Sequence, residues 1–561
     1  MSNITLFFAG LLGVASWLMP NHYPPWVSFH ADVMMAGAGL LALVAETGVN
    51  RGKFQPLPPL TQATLLLACV PLVQALGGLI LFAGDGWIVF AYLLGFALAQ
   101  MVGQALATRL GINGLSERLA GLFIAAAWAC VALQLYQWLR LRGLGEYAID
   151  LALGRSPYAN VAQPNHLASM LFLGVVSMLF LYERRRVCGW VAGLGCVFLE
   201  FGLVMTGSRT AWLVMGLLAF ASWLLRERAG LRISRAGAVA VLASFGALLA
   251  AWAPLNNLLL LSQGRTLENQ AEVGPRPQIW ASMLDAVSRQ PWFGYGWNQG
   301  LIAHGSVVDS HPILGRLMES SHNLVLDLMI WNGVPLALAL TGLLGWWFWR
   351  QWRASRSPVQ VYLLIAVTAV FVHAMLEYPL NYLYFLLPVG LMMGALESTA
   401  PSRWQWRLPR WAVGALAAGA VALSVLIVCE YVEIEASTRT LRFEVARIGS
   451  GTINSKAPEL TLLTQQREYL RFARVVPRPG MTPGELAWMD QVAERYPYSP
   501  SLYNVALAEA LNGRPDAARA TLVHLCRMHT ARRCADSVQA WRRLAASEYP
   551  QLAAVTMPDL P

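Results

Sequence analysis

Five short segments of this chain carry residue types that move protons or hold anions. "ESSHNLVLDLMIWNGVPLAL" places Ser321, His322 and Asn323 at the mouth of an apolar run. An imidazole there reaches both water and apolar surroundings, and its ordinary pKa of about 6.5 lets it take or give a proton at neutral pH. The other reading is an interfacial His that caps a helix together with Asn323. "MTGSRTAWL" sets Arg209 between two apolar runs, beside Gly207, Ser208 and Thr210. It is either a snorkelling anchor or an anion clamp. "PRPQIW" carries Arg276, and "PWFGYGWNQG" follows at 291–300. "VHAMLEYPLNYLYFLLPVGLMMG" holds His373, Glu377 and Tyr378. A carboxylate and an imidazole one helical turn apart are costly in apolar surroundings, unless they simply pair with each other. "ANVAQPNHLASML" places Gln163, Asn165 and His166 where another run begins. Gln163 and Asn165 are there as helix caps or as hydrogen-bond partners of a polar substrate.

The elements that must position these residues are membrane helices. Of 561 residues, 56% are hydrophobic and 13% charged. Soluble domains carry about 25% charge. Disorder needs low hydrophobicity and high charge, so it is excluded as well. Bundled helices hide such a backbone from lipid. Thirteen stretches approach the roughly 20 apolar residues of a span: 4–19, 29–47, 61–82, 87–107, 119–138, 165–182, 189–206, 211–225, 236–253, 322–348, 359–376, 380–397 and 411–430. No Lys or Arg precedes Arg51, so the first reads as a retained span rather than a cleaved signal.

The chain carries 41 Lys and Arg against 31 Asp and Glu. The excess sits in clusters between apolar runs, the pattern of cytoplasmic loops rather than of a nucleic-acid-binding face. With the N-terminus cytoplasmic, alternate loops are basic: Arg51 and Lys53, Arg109 and Arg118, Arg184 to Arg186, Arg226 to Arg235, Arg350 to Arg356, and Arg403 to Arg410. The loop 139–164, with Arg140, Arg142 and Arg155, fits least well. Segments 20–28, 139–164, 206–210, 254–321 and 377–379 then face outward. An outward Arg209 opposes that bias, which favours the clamp. Chain order suggests helices over 1–253, a large outer loop over 254–321, further helices over 322–430 and an outward helical domain over 431–561. Within the last, "LYNVALAEALNGRPDAARATLVHL" looks like one tetratricopeptide unit.

Seven cysteines occur. Cys69, Cys130, Cys188, Cys196 and Cys429 lie in or beside apolar runs and read as packing residues. Cys526 and Cys534 are an even pair in a domain expected to face an oxidising compartment, so a bridge is expected. Along one straight helix they would be about 12 Å apart, against roughly 6 Å for a disulfide, so 527–533 must turn.

"QPNHLASM", "TGSRTAWL", "RPQIW…PWFGYGW", "SSHNLVLDLMIWNG" and "VHAMLEYPLNYLYFLLP", in this order, resemble the PglL-type bacterial O-oligosaccharyltransferases. These belong with the O-antigen ligases (WaaL) and O-antigen polymerases (Wzy). The resemblance covers nearly the whole chain. It implies a polytopic α-helical, GT-C-like membrane protein of the bacterial inner membrane with its active site facing the periplasm. It implies en bloc transfer of a glycan from undecaprenyl-pyrophosphate to Ser or Thr of periplasmic proteins such as pilins, inverting and without a metal or other cofactor. A sibling ligase acting on lipid A-core, or a polymerase, shares most of these motifs. The "WWDYG" signature of the metal-dependent N-linked enzymes is absent. The resemblance points to Arg209 and Arg276 as clamps on the leaving pyrophosphate, and to His322 as the base or as the orienter of the attacking hydroxyl. Gln163, Asn165, Tyr378, Asn323 and Glu377 are left to bind substrate. A lipid-linked-sugar transporter is the other class considered. It would show internal repeats and polar residues at the bilayer midplane, whereas these motifs cluster at the outer ends.

Overall fold

The computed structural model describes residues 2–47, 53–152, 154–259, 261, 274–448 and 455–557. Arg51, Arg265 and the stretch 262–273 of the expected outer loop lie outside these. Each of the thirteen apolar stretches forms a helix. Among the described residues, ten helices are long and apolar enough to cross a membrane. The other three stretches are the shorter apolar helices Asn3–Leu18, Pro358–Ala374 and Leu383–Glu397. In space the chain forms two units interleaved along the sequence. One comprises Met1–Leu67, Tyr92–Glu272 and Gly342–Ser424; the other comprises Ala68–Ala91, Val273–Thr341 and Val425–Pro561.

In the first unit, helix Pro164–Glu183 is apolar all round and buried along most of its length. Its Gly174 lets it lie close to its neighbours, since a Cβ there would press on Ala127 at 2.7 Å and on Leu199 at 3.2 Å. Small residues at helix contacts are how membrane helices approach, because lipid gives them no hydrophobic drive to associate. At one end of this unit the segments near residues 18, 147 and 160 are tied together. Asn160 Nδ2 donates to the carbonyls of Leu18 at 2.9 Å and Tyr147 at 2.8 Å. At the opposite end the arginine-rich segments collect. Glu117 meets Arg184 at 3.0 Å and Arg186 at 2.9 Å, Glu46 meets Arg109 at 3.3 Å, and Glu397 meets Arg350. A ribbon absent from the sequence reading closes this end: Phe54–Leu57 pairs antiparallel with Trp406–Pro409.

The second unit joins parts of the segment 254–321 to the C-terminal tail. Phe82, Val308, Phe472, Met489 and Leu525 share one buried core. The loop is itself helical over Arg276–Arg289 and Gly300–Val307. The tail folds as expected around its Asn-Gly break: helix Ser499–Leu511, a turn at Gly513 with φ 77°, then helix Pro515–Met528. Arg527 Nη2 ties this hairpin to the loop through the carbonyls of Val308, Asp309 and His311, at 2.8 to 3.0 Å.

Cys526 and Cys534 are bridged, with Cα atoms 4.7 Å apart. The chain turns between Met528 and Ala531, where one helix ends and the next begins. In the chain-entropy picture a loop this short adds about 2–3 kcal/mol. Cys526→Ser should therefore lower the melting temperature of the full-length protein. Two reactive thiols in the tail of denatured, unreduced protein would show that the bridge does not form. Of the other five cysteines, Cys130 and Cys196 are packed as expected. Cys69, Cys188 and Cys429 are exposed instead, which corrects the packing assignment for these three. An apolar run alone does not say which of its sides meets protein and which meets lipid.

Three imidazoles cluster in the second unit. Burial, then the neighbouring His524 and His529, push His304 down to about 4. His524 and His529 are also lowered, mainly by burial. Between pH 6.5 and 4 the unfolded chain binds protons that the folded one does not, so stability falls as pH falls. His304 alone accounts for about 3 kcal/mol across that window. The expected result is a melting temperature that drops from pH 7.5 to pH 5, and His304→Gln should flatten the profile. An unchanged profile in that variant would remove His304 as the cause.

Candidate active site

Of the eight predicted site residues, the first unit holds Gln163, Asn165, Arg209, Glu377 and Tyr378, and the second holds Arg276, His322 and Asn323. In the first unit they converge from three helix ends. Gln163 is the N-cap of Pro164–Glu183, with its side-chain oxygen accepting the N–H of His166 at 2.6 Å. Pro164 follows at the first helical position, where a missing N–H costs nothing. Asn165 uses both ends of its amide on protein partners. Its Nδ2 donates to Glu377 Oε1 at 3.0 Å, and its Oδ1 accepts from Ser208 Oγ at 2.6 Å. Ser208 in turn precedes Arg209, the first residue of helix Arg209–Ala229. Gly207, with φ 61°, makes the reversal that brings Ser208 back to Asn165. The chain Glu377–Asn165–Ser208 thus fixes the backbone from which Arg209 projects.

His166 was not chosen from sequence, yet it is the hub of this group. Its ring stands edge-on to Tyr382 at 4.6 Å, His373 at 5.4 Å and Tyr378 at 6.4 Å. Its Nδ1 meets Tyr384 Oη at 3.1 Å, and His373 Nδ1 meets Ser169 Oγ at 2.7 Å. Tyr378 stacks on Tyr382 with centroids 6.1 Å apart. The available signal was a histidine in the polar motif of Gln163 and Asn165, directly after Asn165.

In the second unit Arg276 opens helix Arg276–Arg289, with Pro277 behind it. One turn on, Trp280 Nε1 donates to the Ser321 carbonyl at 3.0 Å, so this helix is tied to the His322 turn. His322 itself has φ 58°, in the left-handed region. Non-glycine residues held there cost on the order of 1–3 kcal/mol and persist where the surroundings enforce them. Here Asp327 does so: its carboxylate accepts from Ser320 Oγ at 2.6 Å and from the Ser321 N–H at 2.7 Å. Ser320 Oγ also accepts the His322 N–H at 3.0 Å. Asn323 Oδ1 caps the following helix through Val325 N–H at 3.1 Å and Leu326 N–H at 3.2 Å. Asn323 is therefore the cap, while His322 sits in the strained turn before it. Asp327 was missed, although a lone carboxylate in "NLVLDLMIWNG" is the usual mark of a positioned polar group in a span. Among the described residues, no group of three or more His, Cys, Asp or Glu is gathered to hold a metal ion.

Residues 194–341, which include Arg209, Arg276 and His322, match the family described as O-antigen ligase. Residues 361–543 match the family described as virulence factor membrane-bound polymerase, C-terminal. Over 94% of this chain and 93% of the relative, it is 30% identical to a general O-oligosaccharyltransferase of Acinetobacter baylyi. The chain belongs to the PglL-type O-oligosaccharyltransferase family. It is also 30% identical, over 44% of both chains, to a ComP-specific O-oligosaccharyltransferase of the same organism. To an O-antigen ligase of Pseudomonas aeruginosa it is 31% identical over 28% of this chain and 33% of that one. No solved structure matches it significantly. As an O-oligosaccharyltransferase in the O-antigen ligase superfamily, it is a multi-pass membrane glycosyltransferase that moves glycan onto an acceptor.

Proposed function

We propose that this enzyme transfers a glycan en bloc from undecaprenyl-pyrophosphate to Ser or Thr hydroxyls of periplasmic proteins, pilins among them, with inversion and without a metal. The observation that carries this reading is the His322 turn, an imidazole held in strained backbone by Ser320 and Asp327. His322 takes the proton of the acceptor hydroxyl as its oxygen attacks the anomeric carbon. The bond from that carbon to the pyrophosphate oxygen breaks on the opposite face, and the lipid pyrophosphate leaves. Arg209 and Arg276 hold that anion; each occupies the first position of a helix, where the backbone N–H groups add positive potential. Gln163 and Tyr378 orient the donor, and Asn165 and Glu377 act through Ser208 on Arg209.

The site faces the periplasm, in thirteen spans of the inner membrane, with 254–321 as a periplasmic loop and 431–561 as a TPR-like periplasmic domain. Alternation of basic segments along the chain supports this sidedness, as does the shared core of tail and loop. The match of 194–341 to the O-antigen ligase family favours a second reading, with lipid A-core or a growing glycan as acceptor.

Co-expression with a lipid-linked glycan pathway and a pilin, in a host lacking its own ligase, separates the two. A glycan-sized mass increase on the pilin supports the first reading. An unmodified pilin with newly capped lipopolysaccharide supports the second. In the same host Arg209→Lys and Arg276→Lys should each lower transfer about 10- to 100-fold, since Lys keeps the charge and loses the two-pronged contact. Full activity in both would move the clamp elsewhere. Chelator should leave transfer intact, and loss restored by Mg²⁺ or Mn²⁺ would overturn the metal-free mechanism.

A further inference from the structure

The helix Leu324–Ala354 is broken at Gly333, where φ is 77° and ψ 167°. In an unbroken helix the Val334 N–H would donate to the Ile330 carbonyl. Here both groups are given to another segment. Tyr295 N–H donates to the Ile330 carbonyl at 2.7 Å, and Val334 N–H donates to the Pro291 carbonyl at 2.7 Å. The loop "PWFGYGW" is thus inserted into the hydrogen-bond ladder of the helix. Glycine is required on both sides of the insertion. A Cβ on Gly294, at φ 67°, would meet the backbone of Ile330 and Asn332, and one on Gly333 would meet that of Trp292 and Phe293. Gln74 braces the join, donating to the Trp331 carbonyl at 2.9 Å and accepting the Trp297 N–H at 3.1 Å.

The place of the insertion along the helix gives its depth. A hydrocarbon core of about 30 Å is crossed by about 20 helical residues. Arg350 lies over the Trp346 ring at 5.1 Å, a pairing suited to the inner membrane surface. Counted outward from Arg350, the core ends near residue 330, so the break lies at its outer edge. At that level Trp292 and Phe293 are 71% and 76% exposed. Leu338, on the spanning part of the same helix, is 55% exposed and belongs to the surface that lipid covers. The loop that carries this aromatic pair, Pro291–Trp297, holds no charged residue.

We propose that Pro291–Gly296 is a membrane-seated wedge, with Trp292 and Phe293 packed among the acyl chains of the outer leaflet. The wedge sets the height of the catalytic turns. Helix Arg276–Arg289 leads directly into it, and His322 lies in the turn immediately before the helix that the wedge interrupts. The inference rests on the outward orientation proposed above, but its test does not depend on activity.

Phe293→Cys is made in the full-length protein with Cys69, Cys188 and Cys429 replaced by Ser. It is labelled with bimane and placed in nanodiscs of phosphatidylethanolamine and phosphatidylglycerol. Lipids brominated on the acyl chain should remove most of its fluorescence, while aqueous iodide should remove little. Ala520→Cys, exposed on the tail helix Pro515–Met528, should show the reverse. Adding Gly333→Ala should expel the wedge and make position 293 sensitive to iodide. Iodide quenching without bromolipid quenching in the Phe293→Cys protein itself would overturn the proposal. So would shielding from iodide that arises only on adding polyprenyl pyrophosphate, which would make the donor's tail the occupant. Because no glycan transfer is measured, failure here leaves the transfer reading standing.

Discussion

His322→Ala should lower glycan transfer by about 100- to 10,000-fold, the contribution of a general base, with normal amounts of protein in the membrane. The turn is held through backbone and neighbours, by Ser320 Oγ on the His322 N–H and Asp327 on Ser320 and Ser321. Removing the imidazole leaves these three backbone and side-chain bonds available. Alanine tolerates a left-handed backbone poorly, so some loss could come from a shifted turn. His322→Asn separates the two effects, because asparagine accepts that conformation readily and offers no base. Both variants should be inactive if the imidazole takes the proton. An active asparagine variant would reduce His322 to a turn former. Asp327→Asn should act differently again, keeping the bulk while weakening the brace, so that activity falls and the turn loosens together.

The helices of this protein are legible in its sequence because a span is a local property. Twenty apolar residues in a row say where a helix runs without reference to anything else. Caps are nearly as local: Gln163 before Pro164, and Asn323 before the run that follows it. What joins the helices is not local. The amide of Asn165 meets a carboxylate 212 positions away. Strands of four residues, Phe54–Leu57 and Trp406–Pro409, are too short to show a period, and they pair across most of the chain. The break at Gly333 is the plainest case. Apolar residues continue on both sides of it, so composition reads one long span, and only the partner loop at 291–297 shows why the ladder opens. The same limit explains Asp327. Its residue type was a visible oddity, but its role depends on a turn whose backbone angle no residue pattern announces. The spatial units are interleaved for a similar reason. The tail packs on residues 68–91 and 300–311, which lie far before it in the chain.

Arg495→Ala should destabilise the second unit by about 3–5 kcal/mol, the usual penalty for orphaning one member of a buried ion pair. Arg495 Nε meets Asp85 Oδ2 at 2.7 Å and its Nη2 meets Oδ1 at 2.8 Å, with side-chain exposures of 11% and 2%. Asp85 lies in the first turn of helix Ala83–Leu110, where a carboxylate also favours the helix dipole. The pair joins the tail to the end of that helix, beside the contact of Thr464 Oγ1 with the Gly84 N–H at 3.0 Å. Removing the arginine leaves a buried carboxylate without its ion-pair partner. The full-length protein should then melt at lower temperature, and protease should cut first within 455–557. Asp85→Leu with Arg495→Leu provides the decisive comparison. Replacing both charges with apolar groups is often close to neutral, so the double variant should recover most of the stability lost in the single one. Equal, small losses in all variants would mean that the pair behaves as a solvated surface contact. The same tail carries Arg527, whose hold on residues 308–311 fixes one end of the segment that leads to the His322 turn. Loss of transfer should therefore follow loss of docking in the single variant and return in the double one. Such coupling would make the tail a support of the His322 turn, since a separate module could be undocked without cost to transfer.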